Sequence, residues 1–200
     1  MKKLSLILFF FISISITAQQ PDDYKKYIDQ LKKEAKTDPQ DKAVFDLLQE
    51  FYNQVLQSDL DELNPDVSTK FEKLYQNPKA GNYYLLVMFM IYQDHITQTA
   101  AAGKMSNAKF QIDLITDLET EFKTVYDKVP AIVYIYKTEA FNSDNQPAEA
   151  LTAINNGLTA YPDSVPLKVY KYLNTKNPEI KNDLIKNHSN HWMVKQFEIK

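Results

Sequence analysis

Residues 83–92 constrain the fold more than any other part of the sequence, because all ten are apolar or aromatic. They read YYLLVMFMIY, and the polar residues Gln93, Asp94 and His95 follow at once. A helix that is hydrophobic on every side is buried on most of its sides. A membrane span needs about 20 apolar residues, so this run is too short to be one. The sequence therefore predicts a central helix surrounded by other elements of the fold.

Apolar residues spaced three and four apart predict amphipathic helices on both sides of this segment. One stripe comprises Val44, Leu47, Leu48, Phe51, Tyr52, Val55 and Leu56, and another comprises Phe110, Leu114, Ile115, Leu118, Phe122, Val125 and Tyr126. No window shows the alternation of a β-strand bounded by turn residues. Because successive helices joined by short turns pack antiparallel, we predict an all-α fold of stacked antiparallel helical hairpins.

Several residues mark where these helices should begin and end. Asp38 followed by Pro39 has the pattern of a helix N-terminus, and Gly103 suits a left-handed C-terminal cap. Ser106, Pro130 and Pro147 are expected to lie at the starts of later helices. Further helices are expected near 166–175, 178–187 and 190–199, the last of them capped by Ser189 or Asn190.

Residues 131–164 form a unit of 34 residues with a recurring pattern of small and bulky positions. The pattern comprises Tyr134, Ala140, Phe141, Ala150, Ile154, Gly157 and Pro162. In this pattern and in its length the unit resembles a tetratricopeptide repeat, although Lys137 and Thr138 stand where that family usually has Leu and Gly. The resemblance implies three or four hairpins stacked as a short, irregular α-solenoid over residues 19–200. A compact helical bundle with one repeat-like hairpin is the alternative.

The same resemblance implies a partner and a binding surface. In such repeats the first helix of each unit lines a concave face that holds an extended peptide or protein segment. The corresponding positions here are Ile132, Ile135, Glu139 and Asn142. The alternative is that the preceding helices cover Ile132 and Ile135, in which case Ile135→Lys would unfold the protein.

The N-terminus has the pattern of a secretory signal peptide over residues 1–18. Lys2 and Lys3 precede an apolar run at 4–12, and Ala18 is a small residue at the expected cleavage site. We expect cleavage after Ala18 and export to the periplasm or the exterior, with no membrane span left in the mature chain. An uncleaved anchor is the alternative.

Charge and composition exclude several classes of function. All 23 basic residues are lysine, against 26 acidic residues, so the chain has no basic stripe of the kind that binds nucleic acid. Three glycines leave no glycine-rich phosphate loop, and we expect no cofactor. The absence of cysteine removes disulfides and thiolate metal sites.

Two groups of residues superficially resemble metal sites. His188 and His191 have H-x-x-H spacing, but a catalytic zinc site needs a third protein ligand. The acidic loop contains Asp59, Asp61 and Asp66 but lacks the glycine and glutamate of a calcium-binding EF-hand loop. We therefore expect no metal and a non-catalytic binding scaffold.

Two alternatives to a binding scaffold stay open. One is a cell-envelope hydrolase whose site is assembled from distant His and Asp/Glu residues, and His95, His188 and His191 are the histidines that could contribute to it. The other is a purely structural subunit of an envelope assembly.

Overall fold

The structure is a computed structural model that describes residues 21–59, 64–103 and 107–200. The predicted signal peptide at 1–18, the predicted helix start at Ser106 and the acidic residue Asp61 lie outside the described residues. Within those residues the protein has ten α-helices, one π-helical segment and no β-strand. The all-α prediction is confirmed.

The helices follow one another with short connections. Their bounds are α1 Pro21–Glu34, α2 Ala43–Tyr52, the π segment Asn53–Gln57, α3 Pro65–Tyr75, α4 Tyr83–Ala101, α5 Ala108–Tyr126, α6 Ala131–Ser143, α7 Pro147–Ala160, α8 Val165–Thr175, α9 Pro178–His188 and α10 Trp192–Gln196. No helix in the described part of the chain is long and apolar enough to cross a membrane.

The chain divides into two compact units. Among the described residues, the first unit comprises 21–47 and 65–129, and the second comprises 48–59, 64 and 130–200. Helix α2 contributes its first half to the first unit and its second half to the second. The single domain expected over 19–200 stays a prediction.

Helix α4 is the centre of the first unit. It packs against α1, α3 and α5. Every residue from 83 to 92 is buried, and none of these side chains is more than 7% exposed. The predicted central helix is therefore confirmed, since the apolar residues on all its sides have neighbours to pack against.

Asn82 fixes the chain where α4 begins. Its backbone is left-handed, with φ of 59°, and its side chain is fully buried. Its Oδ1 accepts the N–H of Asp38 at 2.9 Å, and its Nδ2 donates to the carbonyl of Asp38 at 2.7 Å and to the hydroxyl of Tyr126 at 2.8 Å. The Tyr126 hydroxyl in turn donates to the Asp41 carbonyl at 2.8 Å. Asn82 therefore supplies partners for buried backbone groups of the segment before α2.

The second unit contains the hairpin that resembles a tetratricopeptide repeat. Helix α6 packs against both α7 and α8, and α8 packs against α7, α9, α10 and the π segment. Helix α7 approaches α6 and α8 closely at Gly157, because a Cβ there would lie 2.8 Å from Leu167 Cδ1 and 3.0 Å from Tyr134 Cβ. A glycine at this small position lets its helix lie closer to the neighbouring side chains than alanine would.

The start of α2 differs from the prediction. Asp38 and Pro39 do not begin the helix, which starts at Ala43. The Asp41 carboxylate accepts the N–H of Ala43 at 3.0 Å, whereas Asp38 accepts the N–H of Gln40 at 3.0 Å in the preceding turn. A proline that follows an aspartate suits a turn as well as a helix start, and the structure uses the turn.

Two further predictions concern the C-terminal end of α4 and the bounds of α10. Gly103 has φ of +62° just after α4, which confirms the expected left-handed backbone. The final helix is shorter than the predicted 190–199, since α10 spans Trp192–Gln196. Its N-cap is His191, and the predicted cap at Ser189 or Asn190 was wrong.

Candidate functional site

Helix α6 carries all four residues that the sequence analysis assigns to a peptide-binding face. Ile132 and Ile135 are 0% and 1% exposed, whereas Glu139 is partly buried and Asn142 is exposed. The two isoleucines are thus buried in this structure. Of the four residues, Glu139 and Asn142 are the two that reach the surface. A role of α6 in peptide binding stays a prediction.

Glu139 is joined to the next hairpin by a hydrogen bond. The hydroxyl of Tyr170, on α8, donates to its carboxylate Oε1. Burial raises the pKa of Glu139, and the hydrogen bond from Tyr170 opposes that rise. Burial favours the neutral acid because it removes the water that stabilises the charge. This contact links the first helices of two successive hairpins.

Four polar side chains form what we call the α6–α8 polar face: Glu139, Asn142, Tyr170 and Asn174. Asn142 lies three residues after Glu139, so both are on the same side of α6. The Asn174 side chain donates to the backbone carbonyl of Tyr170 at 2.9 Å, which holds it beside the tyrosine. The face presents amide, carboxyl and phenol groups.

Tyr170 and Asn174 were not predicted as site residues, although the sequence contains a usable signal for Tyr170. Tyr170 lies 34 residues after Tyr136, which is the length of the repeat-like unit. Carrying the unit forward by one period would have placed Tyr170 on the first helix of a second hairpin. Its pairing with Glu139 depends on the packing of α6 against α8, which is a tertiary property.

A second group of polar side chains lies between the π segment and the start of α8. The hydroxyls of Tyr52 and Ser164 are 2.5 Å apart, and Tyr52 also donates to Gln57 Oε1 at 2.9 Å. Gln57 Oε1 accepts the N–H of Val165 at 3.0 Å, and Ser164 Oγ accepts the N–H of Leu167 at 3.2 Å. These contacts satisfy the first N–H groups of α8. Burial raises the pKa of the Tyr52 hydroxyl far above its usual value, so this group stays protonated and acts as a structural donor.

The histidines lie in different environments. His95, in the first unit, accepts the N–H of Asn107 at 3.2 Å through Nε2. Its ring packs on that of Phe110, with 4.8 Å between the ring centroids. Burial lowers the pKa of His95. His188 lies at the end of α9 in the second unit, and it is partly exposed.

His191 is buried in the second unit and uses both ring nitrogens within the protein. Its Nδ1 accepts the N–H of Met193 at 3.2 Å, and its Nε2 lies 3.2 Å from the carbonyl oxygen of Gln57. Because each nitrogen has a partner, the ring holds the start of α10 in place and offers no free lone pair to a metal. The H-x-x-H spacing that it shares with His188 thus corresponds to a helix cap.

Acidic residues near these histidines form no metal-binding group in the described residues. Within residues 21–59, 64–103 and 107–200, no three His, Cys, Asp or Glu side chains lie in positions to hold a metal ion. Asp59 and Asp66 from the acidic loop are both exposed. Asp94 has its pKa raised by burial, with Gln98 donating to it at 2.7 Å.

Comparison of the chain with protein-family models, curated proteins and solved structures found no match. The likeness to tetratricopeptide repeats therefore depends on the residues of the 131–164 unit themselves. The α6–α8 polar face includes the two exposed or partly exposed residues, Glu139 and Asn142, that this likeness assigns to peptide binding.

Proposed function

We propose that this chain is an exported helical-repeat protein of the tetratricopeptide type that binds an extended peptide or protein segment. In this proposal its role is that of a non-catalytic scaffold. The mature protein, after loss of residues 1–18, works in the periplasm or outside the cell.

The spacing of helices in the second unit supports the repeat assignment. Helix α6 begins at Ala131 and α8 begins at Val165, 34 residues later. Helix α6 contacts both its partner in the hairpin, α7, and the first helix of the next hairpin, α8. In stacked repeats each unit buries its apolar surface against the next, and this contact pattern is the one that stacking requires.

The observation that carries the binding proposal is the bond between Glu139 and Tyr170. It joins the first helices of two successive hairpins, and in a stacked repeat these helices line the same face. The α6–α8 polar face then offers hydrogen-bonding groups to the backbone of an extended segment. Tyrosine is enriched at protein interfaces, because its ring supplies contact area and its hydroxyl a polar contact. Since Ile132 and Ile135 are buried, the partner would contact Asn142 and the exposed edges of Glu139 and Tyr170.

Binding through this face can be tested with a pair of matched substitutions. Asn142 and Asn156 are both exposed helical asparagines, and Asn142 alone belongs to the α6–α8 polar face. The full chain and its Asn142→Lys and Asn156→Lys variants would be immobilised and exposed to cell-envelope extract, and each captured protein identified and its affinity measured. Asn142→Lys should weaken specific capture by about tenfold, which corresponds to ~1.4 kcal/mol, whereas Asn156→Lys should capture as the wild type does.

The capture result is meaningful only for variants that fold as the wild type does. Far-ultraviolet circular dichroism and thermal unfolding should show both lysine variants folded as the wild type, because both positions face solvent. Equal capture by the two variants would remove the α6–α8 polar face from the proposal. Absence of any partner that distinguishes them would favour a structural subunit without a separable ligand.

Export is tested independently of binding. N-terminal sequencing of the protein purified from its native host should begin at Gln19, directly after the expected cleavage site. A mature protein that retains Met1 in the membrane fraction would support the uncleaved anchor instead.

A further inference from the structure

His191 is held at the start of α10 in one protonation state. The imidazole accepts a hydrogen bond from the Met193 N–H at Nδ1, so Nδ1 carries no proton. Its Nε2 faces the carbonyl oxygen of Gln57, so Nε2 carries the proton and donates. The side chain is 1% exposed, and water cannot replace either partner without movement of the chain. The neutral Nε2–H tautomer is thus the form that fits this site.

Two charged groups near the His191 ring shift its pKa in opposite directions. Asp59, which follows the π segment, favours the protonated ring, and His188 at the end of α9 disfavours it. On the two helices that α10 packs against, Lys168 of α8 is paired with Asp183 of α9 at 3.0 Å. Burial has the largest effect and lowers the pKa of His191, against the smaller effects of Asp59 and of the carbonyl groups of the π segment.

Protonation would change the ring from an acceptor into a donor at Nδ1. The new N–H would face the N–H of Met193, so the cap of α10 would be lost and a charge would be left buried. Helix α10 has only five residues, and a helix so short depends on its cap and its packing. That packing consists of Trp192, Met193 and Val194, all buried, in a helix that contacts α8 and α9.

We propose that His191 is a pH-sensitive latch, whose neutral ring holds α10 against α8 and α9 and whose protonation releases α10 and exposes its apolar side chains. The sign of the pH dependence follows from the proton affinities of the released and latched forms. The released form binds a proton at the ordinary histidine pKa of about 6.5, and the latched form binds it only at lower pH. The latched state is therefore favoured fully above that pH and loses stability as the pH falls below it.

The only tryptophan in the sequence provides the measurement. Trp192 follows His191 directly, and the planes of the two rings are 21° apart. Acrylamide quenching of Trp192 and amide exchange at Met193, corrected for the intrinsic exchange rate, would be followed in the full chain from pH about 8 to about 5. Below the transition the opening equilibrium should rise by up to about tenfold per pH unit, the slope for one proton.

Two matched variants separate the latch from a general effect of acid. His191→Asn keeps an N-cap oxygen that cannot titrate, and it should abolish the pH dependence of both signals. His188→Asn removes the neighbouring histidine and should leave the transition in place. Persistence of the transition in His191→Asn, or its absence in the wild type, would overturn the proposal.

A measurement on the unmodified chain covers the case in which His191→Asn does not fold. The ¹⁵N chemical shifts of the His191 ring should show an unprotonated Nδ1 at neutral pH, and should titrate together with the exposure of Trp192. A ring with Nδ1–H at neutral pH, or exposure of Trp192 while His191 stays neutral, would refute the latch.

Discussion

Replacement of Asn82 with alanine should be among the most destabilising single changes in the first unit. The change removes an acceptor for the Asp38 N–H at 2.9 Å, a donor to the Asp38 carbonyl at 2.7 Å and a donor to the Tyr126 hydroxyl at 2.8 Å. A third acceptor, the Asp41 carbonyl, lies 3.1 Å from the same amide nitrogen.

The magnitude can be worked from these contacts. Each hydrogen bond contributes roughly 0.5–1.5 kcal/mol net, and because two amide hydrogens are shared among three acceptors the side chain contributes roughly 2–4 kcal/mol in all. An L-residue at φ of 59° costs a further ~1 kcal/mol when it is alanine instead of asparagine. We expect Asn82→Ala to lower the free energy of unfolding by about 3–5 kcal/mol. For a chain of 200 residues the melting temperature would fall by roughly 6–20 °C.

Two further variants at this position separate the contributions. Asn82→Gly removes the hydrogen bonds without the conformational penalty, so it should be less destabilising than Asn82→Ala by ~1 kcal/mol. Asn82→Asp keeps an acceptor for the Asp38 N–H and tolerates the left-handed backbone, but it turns the donor Nδ2 into a carboxylate oxygen that faces the Asp38 and Asp41 carbonyl oxygens. Because a buried charge that faces acceptors is costly, this variant should be at least as destabilising as Asn82→Ala at neutral pH. Urea unfolding followed by circular dichroism measures all three. An Asn82→Ala protein within ~0.5 kcal/mol of the wild type would refute the reasoning.

Three other predictions concern the second unit. Gly157→Ala should destabilise the second unit by about 1 kcal/mol in thermal unfolding, because the added methyl would lie 3.0 Å from Tyr134 Cβ. The cost of overpacking, roughly 1–3 kcal/mol, exceeds the gain in helix propensity. A stabilised variant would show that α6 and α7 can move apart freely. Ser164→Ala removes the cap of α8 and should cost ~1–2 kcal/mol, measured by chemical unfolding, whereas an unchanged midpoint would mean that water replaces the hydroxyl. Tyr170→Phe removes the hydrogen bond that lowers the pKa of Glu139, so the carboxyl should titrate at a higher pH than in the wild type in an NMR titration; an unchanged or lower pKa would contradict the bond.

Much of the fold could be predicted because helices are specified locally. The apolar run at 83–92 and the prolines that precede α6 and begin α7 mark helices from neighbouring residues alone. The cap of α2 was missed because Asp38 and Asp41 have the same chemistry, and only the turn that Asn82 stabilises decides between them. Asn82 lies 44 residues from Asp38, a separation at which no periodic signal exists.

The candidate site could be predicted only in part, for a similar reason. Glu139 and Asn142 follow from the spacing of one helix, but Tyr170 reaches Glu139 through the packing of α6 on α8. His191 was weighed as a metal ligand because of its H-x-x-H spacing with His188, and its role as the cap of α10 was missed because histidine is not among the preferred N-cap residues. Its role depends on the carbonyl of Gln57, which lies 134 residues earlier in the sequence.

The π segment after α2 has a consequence for how the gene can change. Its closing bond runs from the N–H of Ser58 to the carbonyl of Asn53 at 2.9 Å, one residue longer than an α-helical turn. Deleting a single codon here would let the segment close as an ordinary α-helical turn, so the change could be absorbed. Inserting one would rotate Gln57 by about 100° relative to α2 and turn it away from the first turn of α8 and from His191. Insertions in this stretch should accordingly be rarer, across any descendants of this gene, than in the turn that precedes α2.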